Sequence, residues 1–150
     1  MRTLPQLMYA TLLTATGAIV HGDSIESPLA LDAGDATVKW GPCPEFMPQG
    51  CGLAVLHGDP SKSNADAFLR VPAGSEIPRH SHTSAERMVL VSGELTVTYD
   101  GQRAAVLKSG MYAYGPAKAP HKASCAKGAE CVLFIAFEAP VDAVKGGGGG

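Results

Sequence analysis

From Gly52 onward, short runs of β-branched and apolar residues are broken by turn formers about every ten residues, and no stretch keeps a helical period long enough to predict a helix. Eight runs can be read in order: LAVLH, DAFLRV, RMVLV, ELTVTY, QRAAVL, MYAYG, HKASC and CVLFIAFE. Short strands at this spacing predict an all-β sandwich or barrel. Asp100-Gly101 lies between ELTVTY and QRAAVL and carries the strongest short-range signature of a tight hairpin. Ser92-Gly93 separates RMVLV from ELTVTY in the same manner.

Upstream of Gly52 the pattern changes twice. Residues 38–52, VKWGPCPEFMPQGCG, set three prolines, three glycines and two cysteines around Trp40, which predicts an irregular, cross-linked lead-in. The N-terminus carries Arg2, then the uncharged stretch Leu7 to Val20, then polar residues. This order is that of a secretory signal peptide, expected over 1–22 and removed on export. The apolar stretch is diluted by threonine and falls short of the ~20 residues a membrane span needs. A linker is expected over 23–37, one domain over 38–145, and a flexible glycine tail over 146–150.

With 150 residues, the chain suits a single domain with its own core. The net charge of −2 and the scatter of its 12 lysines and arginines supply no basic field, so nucleic acid and anionic membrane are excluded as partners. The four cysteines, Cys43, Cys51, Cys125 and Cys131, are even in number in a chain expected to be exported to the periplasm or beyond. That favours disulfides over a zinc site, for which no CxxC spacing is present. Three connectivities are possible, and the short loops 43 to 51 and 125 to 131 are the simplest.

The chemistry concentrates in GSEIPRHSHTSAERMVLVSG, Gly74 to Gly93. In an extended chain His80 and His82 point the same way and can share one ion at ~2 Å. Glu86 follows after three residues, enough to turn the chain back, and its parity carries Met88 and Leu90, so an apolar face adjoins the candidate ligand. His121 opens a separate run and is the candidate fourth ligand. Three imidazoles and a carboxylate suit Fe, Mn, Ni, Cu or Zn and leave coordination positions open. His57, at the end of LAVLH, reads as a surface or hydrogen-bonded histidine.

Gly74, His80, His82, Glu86 and Gly93 resemble the first cupin motif, G-x5-H-x-H-x3-E-x6-G, at every spacing. Gly110, Pro116 and His121 resemble the second, G-x5-P-x-G-x2-H-x3-N, which departs at Lys118 and Cys125. A glycine in place of Lys118 would permit a backbone angle that lysine resists. The resemblance spans roughly Leu53 to Glu138 and implies a single cupin jelly-roll β-barrel with His80, His82, Glu86 and His121 as ligands of one divalent metal ion. Because export implies metal acquisition outside the cytosol, Mn, Cu and Zn stand beside Fe.

Phe68, Met88, Leu90, Val97, Tyr99 and Phe134 are expected to line the barrel. Tyr112 and Tyr114 share one face; turned inward, a phenol would approach the metal, and turned outward it would pack on an edge. Arg70 shares parity with Phe68 and either clamps a substrate carboxylate or stays solvated. The candidate substrate pocket is therefore Arg70, Met88, Tyr99 and Tyr114. The resemblance implies a metal-dependent oxidoreductase of dioxygenase or oxidase type acting on a small oxygenated molecule, with Glu86 as charge balance or catalytic base. A metal or small-ligand sensor, a redox-neutral lyase or isomerase, and a copper-dependent saccharide-oxidising enzyme are the alternatives. A homodimer is expected from the resemblance.

Overall fold

The computed structural model describes residues 27–146; the expected signal peptide and the glycine tail beyond Gly146 lie outside them. The chain divides into residues 1–30 and a unit beginning at Leu31. Of the first, only 27–30 are described, and all four are exposed. Within the second, the described residues form eleven strands and no helix. These are β1 (Gly41–Pro42), β2 (Gly52–His57), β3 (Asp66–Val71), β4 (Glu76–Ser81), β5 (Glu86–Ser92), β6 (Glu94–Tyr99), β7 (Ala105–Lys108), β8 (Tyr112–Gly115), β9 (His121–Cys125), β10 (Cys131–Phe137) and β11 (Val144–Lys145).

They assemble into two antiparallel sheets, one ordered β1-β2-β3-β10-β5-β8 and the other β11-β4-β9-β6-β7. Alternation along each strand supplies the face between the sheets. In β5, Glu86, Met88 and Leu90 are buried while Arg87 and Val91 are exposed. The resulting core draws Leu90, Leu95, Val97, Leu107, Leu133 and Ile135 from both sheets. Cys131, Val132 and Leu133 are buried in succession because β10 is covered on both faces. Its outer face carries a second cluster of Val38, Ala54, Phe68 and Val132, onto which Leu31, Trp40 and Phe134 pack.

That second cluster relocates part of the expected pocket. Phe68 and Phe134, expected to line the barrel, meet edge to face at 6.4 Å on the outside of the six-stranded sheet, where Trp40 stacks on Phe68. Arg70, sharing the parity of Phe68, goes with them: its guanidinium lies 4.4 Å from the Trp40 ring centroid. The parity reading was sound, and the face was the wrong one. Residues Leu31 and Ala33, inside the segment expected to be a linker, pack on the same cluster.

Two turns also differ from expectation. Asp100-Gly101 does join paired strands, β6 and β7, but through the longer loop 100–104, with Gly101 at φ +72°. Ser92-Gly93 does not close a hairpin, because β5 pairs with β10 and β8 while β6 pairs with β9 and β7. It is a corner where the chain passes from one sheet to the other. Gly93 sits there at φ +79°, and a Cβ on it would stand 2.7 Å from the Glu130 carbonyl oxygen and 2.9 Å from Cys131 Sγ. Both the left-handed backbone and the close approach require glycine.

The cysteines form Cys43–Cys51 and Cys125–Cys131. The second bridge ties β9 of one sheet to β10 of the other, just beneath the Gly93 corner. Gly93→Ala is therefore expected to lower stability by about 2–4 kcal/mol, through left-handed strain plus overpacking. Urea denaturation of the oxidised protein measures this, and a loss below about 0.5 kcal/mol, the scale of an ordinary surface substitution, would contradict the reading.

Candidate metal centre

β4 carries His80 and ends one residue before His82, although its sequence, EIPRHS, has no run of strand formers. Pro78 has no N–H to give the ladder. The pairing of β4 with β9 accordingly slips between Ile77 and His80, then resumes with His80 directly opposite His121. On the far side of β9, His121 pairs with Tyr99 of β6. A single cross-strand row thus places His80, His121 and Tyr99 side by side, with ring centroids 4.3 Å and 4.7 Å apart. His82, two residues on, turns to the same face and sits 4.8 Å and 5.4 Å from the His80 and His121 rings.

The ligand nitrogens of His80, His82 and His121 all lie within 4.8 Å of one another. Each ring is held by its other nitrogen. His80 Nδ1 donates to the Pro78 carbonyl at 2.7 Å, His121 Nδ1 to the Ala119 carbonyl at 3.1 Å, and His82 Nδ1 to the Asp142 carbonyl. A carbonyl only accepts, so Nδ1 holds the proton and every Nε2 is left with a free lone pair. Burial is the main cause that lowers all three imidazoles, His80 to about 4, and neighbouring imidazoles lower His80 and His121 further. At neutral pH the trio is uncharged, the state in which imidazole binds a metal.

Glu86 enters from the other sheet at the start of β5, only 3% exposed. Its Oε2 stands 3.4 Å from His82 Nε2, about the separation of two donors each ~2.1 Å from one ion in tetrahedral array. Burial, followed by the nearby Asp142 carboxylate, pushes its carboxyl up to about 8. The crossing from β4 to β5 that places it is pinned at several points. Thr83 donates its backbone N–H and its hydroxyl to the Asp142 carboxylate, both at 2.8 Å. The buried Ser84 hydroxyl receives the N–H groups of Glu138 and Ala139 and donates to the Ala85 carbonyl. From the opposite side, the Lys118 N–H bonds the His82 carbonyl at 2.7 Å. Lys118 itself adopts φ +61°, the left-handed angle for which the motif normally has glycine.

Around the trio lies a cavity of about 170 Å³ whose lining includes His80, His82, Glu86, Met88 and His121. Its mouth is formed by the disulfide-tied segment around Cys43, Pro44 and Met47 and by Val141, Asp142 and Ala143. Phe46 of that segment lies 5.9 Å from the His80 ring.

Of the four residues expected in the substrate pocket, Met88 alone lines this cavity. Tyr99 lies behind His121, its hydroxyl buried without a protein partner and pressed toward Gly115, where an added Cβ would come within 2.5 Å of it. Burial and the Glu86 charge push that phenol up to about 12. Tyr114 does not reach the site, because its partner in the ladder is the outward Arg87 and it is 51% exposed. Arg70 faces Trp40, as above. Asp142 escaped the sequence reading: it lies sixty residues from His82, and no local pattern marks it. The Pro78 and Ala119 carbonyls left a fainter signal, since prolines 78 and 120 stand just before His80 and His121.

His80→Ala and His121→Ala are each expected to remove most of the bound metal while the disulfide-tied fold stays soluble, and elemental analysis after dialysis measures it. Full occupancy in either variant would contradict the three-histidine site. Asp142→Ala removes both anchors of Thr83 and is expected to weaken metal affinity about 10–100-fold, the usual effect of losing an outer-shell partner.

Comparison with known proteins supports the same picture. Residues 33–140 match the family described as the ChrR cupin-like domain. No curated protein matches the chain. Among solved structures, the DMSP lyase DddQ from Ruegeria pomeroyi aligns at 20% identity and a TM-score of 0.63, over 73% of this chain and 61% of the lyase. The chain thus spans under two thirds of the lyase's length. The polyketide cyclase RemF from Streptomyces resistomycificus aligns at 18% identity and 0.62, over 78% of this chain and 85% of the cyclase. An RmlC-like cupin from Shewanella frigidimarina aligns at 21% identity and 0.57, over 70% and 86%. At these identities the likeness is one of fold. With a family match over most of its length, two glycine-framed motifs and a two-sheet jelly roll, the chain belongs to the ChrR cupin-like family and is a small single-domain cupin.

Proposed function

We propose that this protein is a metal-dependent enzyme of the dioxygenase or oxidase type, acting on a small organic molecule with dioxygen as the oxidant. The observation that carries the proposal is the set of three Nδ1-anchored imidazoles opening onto an apolar cavity. Among the described residues the cavity lining offers two carboxyl groups, Glu86 and Asp142, and no lysine, arginine, serine or tyrosine for acid–base work. A divalent redox ion bound there would supply Lewis acidity and electron transfer. His80, His82 and His121 hold it, and Glu86 completes the set.

Glu86 has the second role. Its carboxyl, raised to about 8 by burial and then by Asp142, is mostly protonated at neutral pH. It gives up that proton to balance the charge of an incoming dication, and it can take one back from substrate. A redox-neutral lyase or isomerase would rest on this same group acting as the base. Export to an oxidising compartment accords with the pairing of all four cysteines. Among the described residues no helix is long and apolar enough to cross a membrane.

The sign of the pH effect follows from Glu86. Below about 8 the metal must displace its proton, so affinity rises with pH up to that point and levels above it. Titration calorimetry at pH 7 in buffers of different ionisation enthalpy should show close to one proton released per ion, and Glu86→Gln should abolish that release. Release unchanged in the variant would remove Glu86 from the ligand set. For the reaction, the metal-loaded protein should consume oxygen in a substrate-dependent manner against a panel of phenols, ketones and alcohols. A metal-replete protein that turns these over without oxygen uptake would replace the oxidative reading with the lyase or isomerase one.

A further inference from the structure

The walls of the cavity restrict what can reach the three imidazoles. Met47, Leu53, Leu69, Ile77, Ile135 and Phe137 make up much of the lining, and they come from both sheets and from the disulfide-tied mouth. Beyond the histidines, the ionisable groups on the wall are Glu86 and Asp142, both acidic. Both Asp142 carboxylate oxygens are already taken by Thr83. Among the described residues no lysine or arginine lines the space: Arg70 is stacked on Trp40 outside the sheet, Arg79 is paired with Asp100, and Arg87 with Glu138. An anionic ligand would meet two acidic groups with no counter-charge apart from the ion. A polyhydroxylated one would leave its hydroxyls desolvated and without partners. The volume, about 170 Å³, is below the ~300 Å³ typical of the smallest drug-sized pockets.

The geometry points to a substrate that is uncharged on entry, has a compact hydrocarbon body, and carries one metal-binding oxygen group at a single end. The oxygen group meets the three imidazoles, and the hydrocarbon body fills the space between Met47, Leu53, Ile77 and Ile135. Saccharides and small carboxylic acids are rejected by the same walls. This inference rests on the metal-centre reading above and narrows it to a class of ligand.

Three probes with one donor group and bodies of similar length test it on the cobalt-loaded protein: 3-methylbutanohydroxamic acid, its carboxylate-bodied counterpart succinic monohydroxamic acid, and 3,4-dihydroxybutanohydroxamic acid. Binding is read from the visible cobalt spectrum, independently of turnover. The isobutyl probe should bind at least tenfold more tightly than either polar one. Met47→Arg, at the mouth, should shift the preference toward the carboxylate probe. Equal or reversed preference in the unmodified protein, with cobalt bound, overturns the inference and leaves the metal centre standing. Failure of the protein to bind cobalt at all overturns the metal centre instead.

Discussion

Three backbone carbonyls, those of Pro78, Ala119 and Asp142, decide what this site can do. By accepting the Nδ1 proton of each histidine they leave three Nε2 lone pairs facing the cavity. All three lone pairs lie close enough together to be donated to a single divalent cation. The rest of the structure can be read as the means of bringing those carbonyls and rings together.

No single sheet can do this. His80 lies in β4 and His121 in β9 of one sheet, His82 in the crossing at residues 82–85, and Glu86 at the start of β5 in the other sheet. That crossing is tied down by Ser84, Thr83 and the segment that follows β10. At the opposite end of β9, about 13 Å away for a strand of this length, Cys125–Cys131 joins the same two sheets. A loop that short contributes about 2 kcal/mol by limiting the unfolded chain. The two sheets are thus fastened covalently at one end, and the candidate metal centre lies at the other. Gly93 lets the chain turn tightly against the disulfide end, and Lys118 accepts a left-handed backbone to close the metal end.

Much of this was legible in the sequence, for physical reasons that differ by residue. The alternation of Glu86, Met88 and Leu90 showed the inner face of β5, because a half-buried strand imposes a period of two. The His-x-His spacing and the framing glycines pointed to His80 and His82, which the structure brings together with His121, because coordination and tight turns demand those residue types. β4 was not legible, since Pro78, Arg79 and His80 lack strand propensity and the strand is set by its pairing with β9 and β11. The outer positions of Phe68, Phe134 and Arg70 were hidden because parity assigns two faces without saying which is inside, and here both are covered. Tyr114 fell to the same ambiguity on an edge strand. Asp142 was invisible because it lies sixty residues from His82, and the contact it makes there is through a backbone carbonyl, which any residue possesses.

X-ray absorption at the metal edge, on protein loaded with a single transition ion, tests the central claim most directly. The account predicts a first shell with three imidazole nitrogens at about 2.0–2.1 Å and the outer-ring scattering that identifies histidine, with light-atom oxygen completing it. A shell made of oxygen alone, or one containing sulfur, would contradict it.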